Sequence, residues 1–198
     1  MNKNLKHTEK LLTDKNFLQW CNVDLTSNNL SLNKEEEAKI LKDFIDIYKH
    51  SHWSSYLTEW AVELLLNKLG YKNVRKAENK KNSLNIATPK WTIKKFNPDF
   101  ECDEYIWEVK WCSWSSTWTA WEKILWTPLK YSEVPKLYWK PLKIICVWYQ
   151  EWEAKYGFAC WNLINKTPTT DELKSILKAF NKNNIEYIWF TDLLKELK

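Results

Sequence analysis

Two short stretches carry the residue types with the most evident chemistry, Asn97-Pro98-Asp99 and Glu108-Val109-Lys110. Between them Asp103 and Glu104 read as a two-residue turn joining two strands, 92–102 and 105–111. With that turn Asp99 stands directly across from Glu108, and opposed side chains on one face of a sheet have Cβ atoms about 4.5–5.5 Å apart. Period-two alternation puts Lys110 on the same face, while Trp107, Val109 and Trp111 point to the other. Two carboxylates so placed repel unless positive charge sits between them. A hard divalent cation such as Mg²⁺ takes one or two carboxylates and keeps several waters, which suits this set. Such an ion would lower the pKa of a bound water and offset charge on a phosphoryl oxygen, with Lys110 orienting the water or stabilising the transition state.

Immediately downstream, Ser113, Ser115, Ser116, Thr117 and Thr119 lead into a predicted helix over 119–131, and Lys123 lies one turn in. Amides, hydroxyls and the helix dipole at such an entry favour an anion, and a phosphate of a nucleic-acid backbone is one anion that suits it. Upstream, residues 71–95 contain eight Lys or Arg (72, 75, 76, 80, 81, 90, 94, 95) and the single acid Glu78. This stretch exceeds the whole chain's net charge of +5, so the positive charge is local, and Lys94 and Lys95 bring it next to the acids.

Glu-x-Lys alone says little in a chain that is 28% charged. Pro98-Asp99 at the right distance before it, in turn and strand context, is more specific. Here the sequence resembles the PD-(D/E)XK nuclease superfamily, on Pro98, Asp99, Glu108, Val109 and Lys110. The resemblance implies a restriction-endonuclease-like α/β core, a central mixed sheet flanked by helices. It also implies Asp99, Glu108 and the main-chain carbonyl of Val109 as metal ligands and Lys110 as the catalytic lysine. Members often add a glutamate from the helix before the sheet, which corresponds to Glu63, with Glu59 as second choice. Residues 113–147 are similar to a block of type II restriction endonucleases in which glycines stand at Trp118, Trp121, Trp126 and Trp139. The resemblance spans about residues 54–149. It implies a Mg²⁺-dependent endonuclease acting on double-stranded DNA to leave 5′-phosphate and 3′-hydroxyl ends, with a homodimer and a cognate methyltransferase as possible partners.

The elements that must position these residues follow from periodicity. Asn33 and Glu36 form a capping box for a helix over 34–50. A second helix over 54–69 carries Leu57, Ala61, Leu64, Leu65 and Leu69 on one stripe and ends at Gly70. After the hairpin and the helix over 119–131, residues 143–149 read as a buried strand. Thr169 with Glu172 opens a helix containing Leu173, Ile176, Leu177 and Phe180; 185–190 is a further strand, and Thr191 caps a short last helix. The chain of 198 residues is expected to be one nuclease domain: an N-terminal helical extension over 1–50, the core over 51–150, and a C-terminal helix–strand–helix over 151–198.

Composition narrows the class. With 44% hydrophobic and 28% charged residues the chain is neither disordered nor collagen-like. No apolar run approaches the ~20 residues that span a bilayer, and the polar N-terminus lacks a secretory apolar centre, so a cytoplasmic protein without a membrane partner is expected. Five cysteines without CxxC spacing (Cys21, Cys102, Cys112, Cys146, Cys160) read as reduced, mostly buried thiols.

Two glycines stand against fifteen tryptophans, where about 14 glycines would be usual. Six of the tryptophans (107, 111, 114, 118, 121, 126) crowd around the acids. Aromatic faces that stack on unpaired bases are one reading, which would make the chain a non-catalytic nucleic-acid-binding module. The other starts from position: Trp139 lies in a turn and Trp118 and Trp121 at a tight helix entry, where glycine is wanted. This second reading is that UGA codons meaning glycine have been translated as tryptophan, with Trp20, Trp114, Trp152 and Trp189 as genuine tryptophans. A repair, junction-resolving or homing nuclease of the same fold is the remaining alternative.

Overall fold

The computed structural model describes residues 35, 53–78, 80–81, 95–112, 120–155 and 171–197. In chain order these form α1 (Trp53–Lys68), β1 (Arg75–Lys76), β2 (Lys80–Lys81), β3 (Lys95–Phe96), β4 (Phe100–Glu101), β5 (Ile106–Cys112), α2 (Ala120–Lys130) and α3 (Val134–Tyr138). There follow β6 (Leu142–Trp148), α4 (Tyr149–Lys155), α5 (Asp171–Lys182), β7 (Ile185–Trp189) and α6 (Phe190–Glu196). Five strands make a mixed sheet in the order β1-β4-β5-β6-β7, and β2 and β3 form a separate ribbon. β1 pairs antiparallel with β4 and β4 antiparallel with β5, whereas β5, β6 and β7 are parallel. The protein is thus α/β with a central mixed sheet between helices.

The parallel strands are long and apolar because both of their faces are covered. Trp107, Val109, Ile145 and Val147 pack under Ala61, Val62, Leu65 and Leu66 of α1 and Phe190, Leu193 and Leu194 of α6. On the other face Ile106, Leu142, Ile144 and Ile185 meet Tyr131, Val134 and Tyr138 around α2 and α3, and Phe180 of α5. Glu108 and Lys110 alternate with Trp107 and Val109, so they share the second face with Ile106.

The end of α1 follows its sequence signal. Gly70 has φ +87°, its N–H meets Asn67 O at 3.1 Å, and the Tyr71 N–H closes on Leu66 O at 3.2 Å. An added Cβ there would meet nothing within 4 Å, so the requirement for glycine is conformational. The buried stripe of this helix includes Thr58, Ala61, Val62, Leu65 and Leu66, with Leu64 only half-buried.

Several expectations are corrected. The strand expected over 92–102 is divided: β3 pairs with β2 in the ribbon, and only Phe100 and Glu101 pair with β5. Asn97-Pro98 leaves the ladder between them, since proline has no N–H to give and restricts the residue before it, whereas the Asp99 N–H still meets Trp107 O at 3.1 Å. Thr191 is not a cap; Trp189 holds the N-cap position of α6 and Thr191 is buried in its first turn. The expected strand over 143–149 is observed as Leu142–Trp148, with Tyr149 opening α4. Neither α3 nor α4 was legible: α3 is five residues long, and α4 hides Gln150, Glu151, Glu153 and Lys155 in a run that reads as polar surface. The helix predicted over 34–50 lies outside the described residues except for Glu35, which is helical. Cys102, Cys112 and Cys146 are buried free thiols, as expected; Cys21 and Cys160 lie outside the described residues. Among the described residues no helix is long and apolar enough to cross a membrane.

Candidate active site

The β4–β5 hairpin has the register that the Asp103-Glu104 turn predicts. Phe100 pairs with Trp107, Glu101 with Ile106, and the Cys102 N–H meets Tyr105 O at 2.9 Å. One step further along, Asp99 comes to the level of Glu108. The Asp99 N–H still meets Trp107 O at 3.1 Å, and its carboxylate reaches further along β5: Oδ2 accepts the Val109 N–H at 2.7 Å. That amide, and with it the Val109 carbonyl, therefore faces Asp99 rather than β6.

Glu108 is buried, with Oε1 bonded to the Lys110 ammonium. Oε2 is buried and makes no hydrogen bond among the described residues. The Tyr131 hydroxyl lies at hydrogen-bonding approach to the Glu108 carboxylate, which eases its ionisation slightly, and also contacts Asn97 O at 3.3 Å and accepts from Lys130 at 3.1 Å. Burial dominates the acid's titration: it pushes the Glu108 pKa up to about 7, Lys110 pulls it down, and Asp99 adds to the rise. Asp99 is raised for the same first reason, opposed by Lys110 and by the Val109 amide. Burial, then the Glu108 charge, raises Tyr131 in turn, so its hydroxyl stays protonated.

A second group flanks this pair. Lys76 on β1 forms an ion pair with Glu59 of α1 and lies 4.3 Å from the centre of the Phe100 ring. Asp99 feels both, Glu59 raising and Lys76 lowering its pKa. Glu63, first choice for the helix glutamate, is coupled to Lys76 and Glu59 and is itself raised mainly by burial. Of the two helix glutamates, Glu59 is therefore the one whose charge Asp99 registers. The places of Lys76 and Tyr131 in the site are not foreseen from the sequence; Lys76 counts only as one of the eight basic residues of 71–95, and Tyr131 carries no signal beyond its place at a helix end.

No protein-family model, no curated protein and no solved structure matches the chain.

Of the expected phosphate contacts, Lys94, Ser113, Ser115, Ser116, Thr117 and Thr119 lie outside the described residues, as does the side chain of Lys95, whose backbone pairs with Lys81 in the ribbon. Lys123 folds back on the end of β5, its ammonium 3.3 Å from Trp111 O and 5.8 Å from the Trp111 ring centre.

The donor set fits a hard divalent ion. One buried carboxylate oxygen is orphaned, a second carboxylate is close enough for its charge to raise the first, and the Val109 main chain lies next to Glu108 in sequence and bonds Asp99 through its amide. With both acids ionised a single lysine leaves net negative charge in a buried place, which a cation would offset. Among the described residues no group of three or more His, Cys, Asp or Glu side chains gathers to hold a metal. The ion would therefore rest on Asp99, Glu108, the Val109 carbonyl and water, as Mg²⁺ commonly does.

Proposed function

We propose that this protein is a Mg²⁺-dependent endonuclease that hydrolyses DNA phosphodiester bonds with a PD-(D/E)XK site, and more finely that it is a type II restriction endonuclease. The observation that carries the reading is Glu108: a buried carboxylate with one oxygen on Lys110 and the other without a partner, set opposite Asp99. Bound there, Mg²⁺ supplies a more acidic water and charge neutralisation at the scissile phosphate.

The chain's own residues do the rest. Asp99 and Glu108 place negative charge on two adjacent strands whose spacing the hairpin fixes. The Val109 amide holds Asp99 in position. Lys110, about a quarter exposed, is in direct contact with Glu108 and can turn toward a phosphate oxygen or an attacking water. Lysines of the 71–95 stretch neutralise backbone phosphates, and that contribution weakens with salt.

The test is incubation of a mixed duplex DNA substrate with Mg²⁺ and with EDTA, using the chain as written beside a version carrying glycine at 118, 121, 126 and 139. Discrete fragments set by sequence support restriction; cutting set by branched or damaged structure supports a repair or junction-resolving enzyme. DNA binding with no cleavage in either version rejects the nuclease reading and leaves a binding module.

A further inference from the structure

Lys110 touches two of the groups on β5 that the proposed ion would need, the Glu108 carboxylate and the Val109 carbonyl. Its ammonium bonds Glu108 Oε1 and lies 3.2 Å from the Val109 carbonyl oxygen. An ammonium has three donors and no lone pair, so it cannot join an ion's ligand shell. Two cations on the same carboxylate and carbonyl would also lie within a few ångströms of each other, where like charges repel strongly in a poorly solvated site.

The two partners are unequally free to move. Glu108 is 3% exposed at its side chain and Lys110 23%, so the lysine has a route outward that the acid lacks. We infer that Lys110 is a built-in competitor of the divalent cation: it occupies Glu108 Oε1 and Val109 O, and the ion enters by driving it out toward the substrate side. Metal loading and presentation of the lysine are then one event, and Lys110 meets the scissile phosphate only in the loaded enzyme. This rests on the metal-site reading above.

The experiment is calorimetric titration of the full chain with Mn²⁺ and with Ca²⁺, without DNA, for wild type, Lys110→Met, Lys110→Gln, Lys110→Arg and Asp99→Asn. Loss of a charge-assisted contact that the ion must break should tighten cation binding about tenfold or more in Lys110→Met and Lys110→Gln, while Lys110→Arg binds no tighter than wild type. Thermal unfolding gives an independent readout. Lys110→Met should melt lower than wild type without cation and gain more from added cation; if it folds only with cation, that too supports the competition. Wild-type binding that is lost in Asp99→Asn but unchanged or weaker in both Lys110 variants overturns the competition and leaves the metal site standing. Absence of binding in wild type and all variants overturns the metal reading and this inference with it.

Discussion

The Val109 amide donates to Asp99 Oδ2 at 2.7 Å, so the strand that carries Glu108 also holds the acid opposite it. The bond sits at the end of the ladder between β4 and β5: Pro98 cannot donate, the Asp99 N–H makes a last backbone bond to Trp107 O at 3.1 Å, and the Asp99 side chain takes the Val109 amide beyond it. A break in regular pairing thus creates the carboxylate pair.

The two acids should be separable from folding. In Asp99→Asn the amide oxygen still accepts from Val109 N–H, and in Glu108→Gln the buried charge is gone, so both variants should fold. Each should lose Mg²⁺-dependent cleavage by about three orders of magnitude, in the range seen when a principal electrostatic group is removed, while retaining DNA binding. Gel-shift and cleavage assays on one duplex check this, and EDTA should reduce wild type to the same level.

Glu108 sets the pH dependence. Its pKa is raised from an ordinary 4.5 to about 7 by burial, so the folded state holds a proton that the unfolded chain has released. Stability from this group is fully present below 4.5 and is lost as pH rises through about 7. Asp99 shifts in the same direction. Denaturant unfolding should therefore show stability falling across this window, with the fall much reduced in Glu108→Gln. A cation that binds the ionised form should stabilise wild type more at about pH 8 than at about pH 5, and cleavage should rise over the same interval.

The hairpin was legible because Asp103-Glu104 is a turn signal between alternating runs, and its register follows from the turn alone. The stripe of α1 and its Gly70 end were legible for the same local reason. Legibility failed where partners are distant in sequence. Nothing local marks Lys76 as the residue that reaches Glu59, or Tyr131 as the ring beside Glu108, because each depends on how a helix docks on the sheet. The run Gln150–Lys155 reads as solvated surface, yet it is buried because its charges pair inside.

That internal pairing predicts a large stability effect. Glu151 and Lys155 are both buried, joined by a 2.5 Å ion pair, and Glu151 also accepts the Thr191 N–H at 3.0 Å and its hydroxyl, which fastens α4 to α6. Glu151→Ala strands the Lys155 charge and should cost about 3 kcal/mol or more. Removing both charges, in Glu151→Ala with Lys155→Ala, should cost less than the two single changes summed. Urea unfolding of the three variants measures the coupling.

Trp139 and Gly70 make an opposed pair of tests on the tryptophan excess. Trp139 has φ 57° and ψ 33° at the end of α3, a left-handed position, and is 90% exposed. A side chain there strains the backbone and gains little burial in return. Trp139→Gly should therefore stabilise the chain by about 1 kcal/mol, whereas Gly70→Ala, at φ +87° with open space around it, should destabilise by a similar amount. Thermal melts of both variants check the signs. The same position asks a question of the gene: glycine geometry at Trp139 fits a UGA codon read as tryptophan. UGG at codons 118, 121, 126 and 139 would show instead that the tryptophans are native, and a bulky exposed ring at a strained turn would then need a partner of its own.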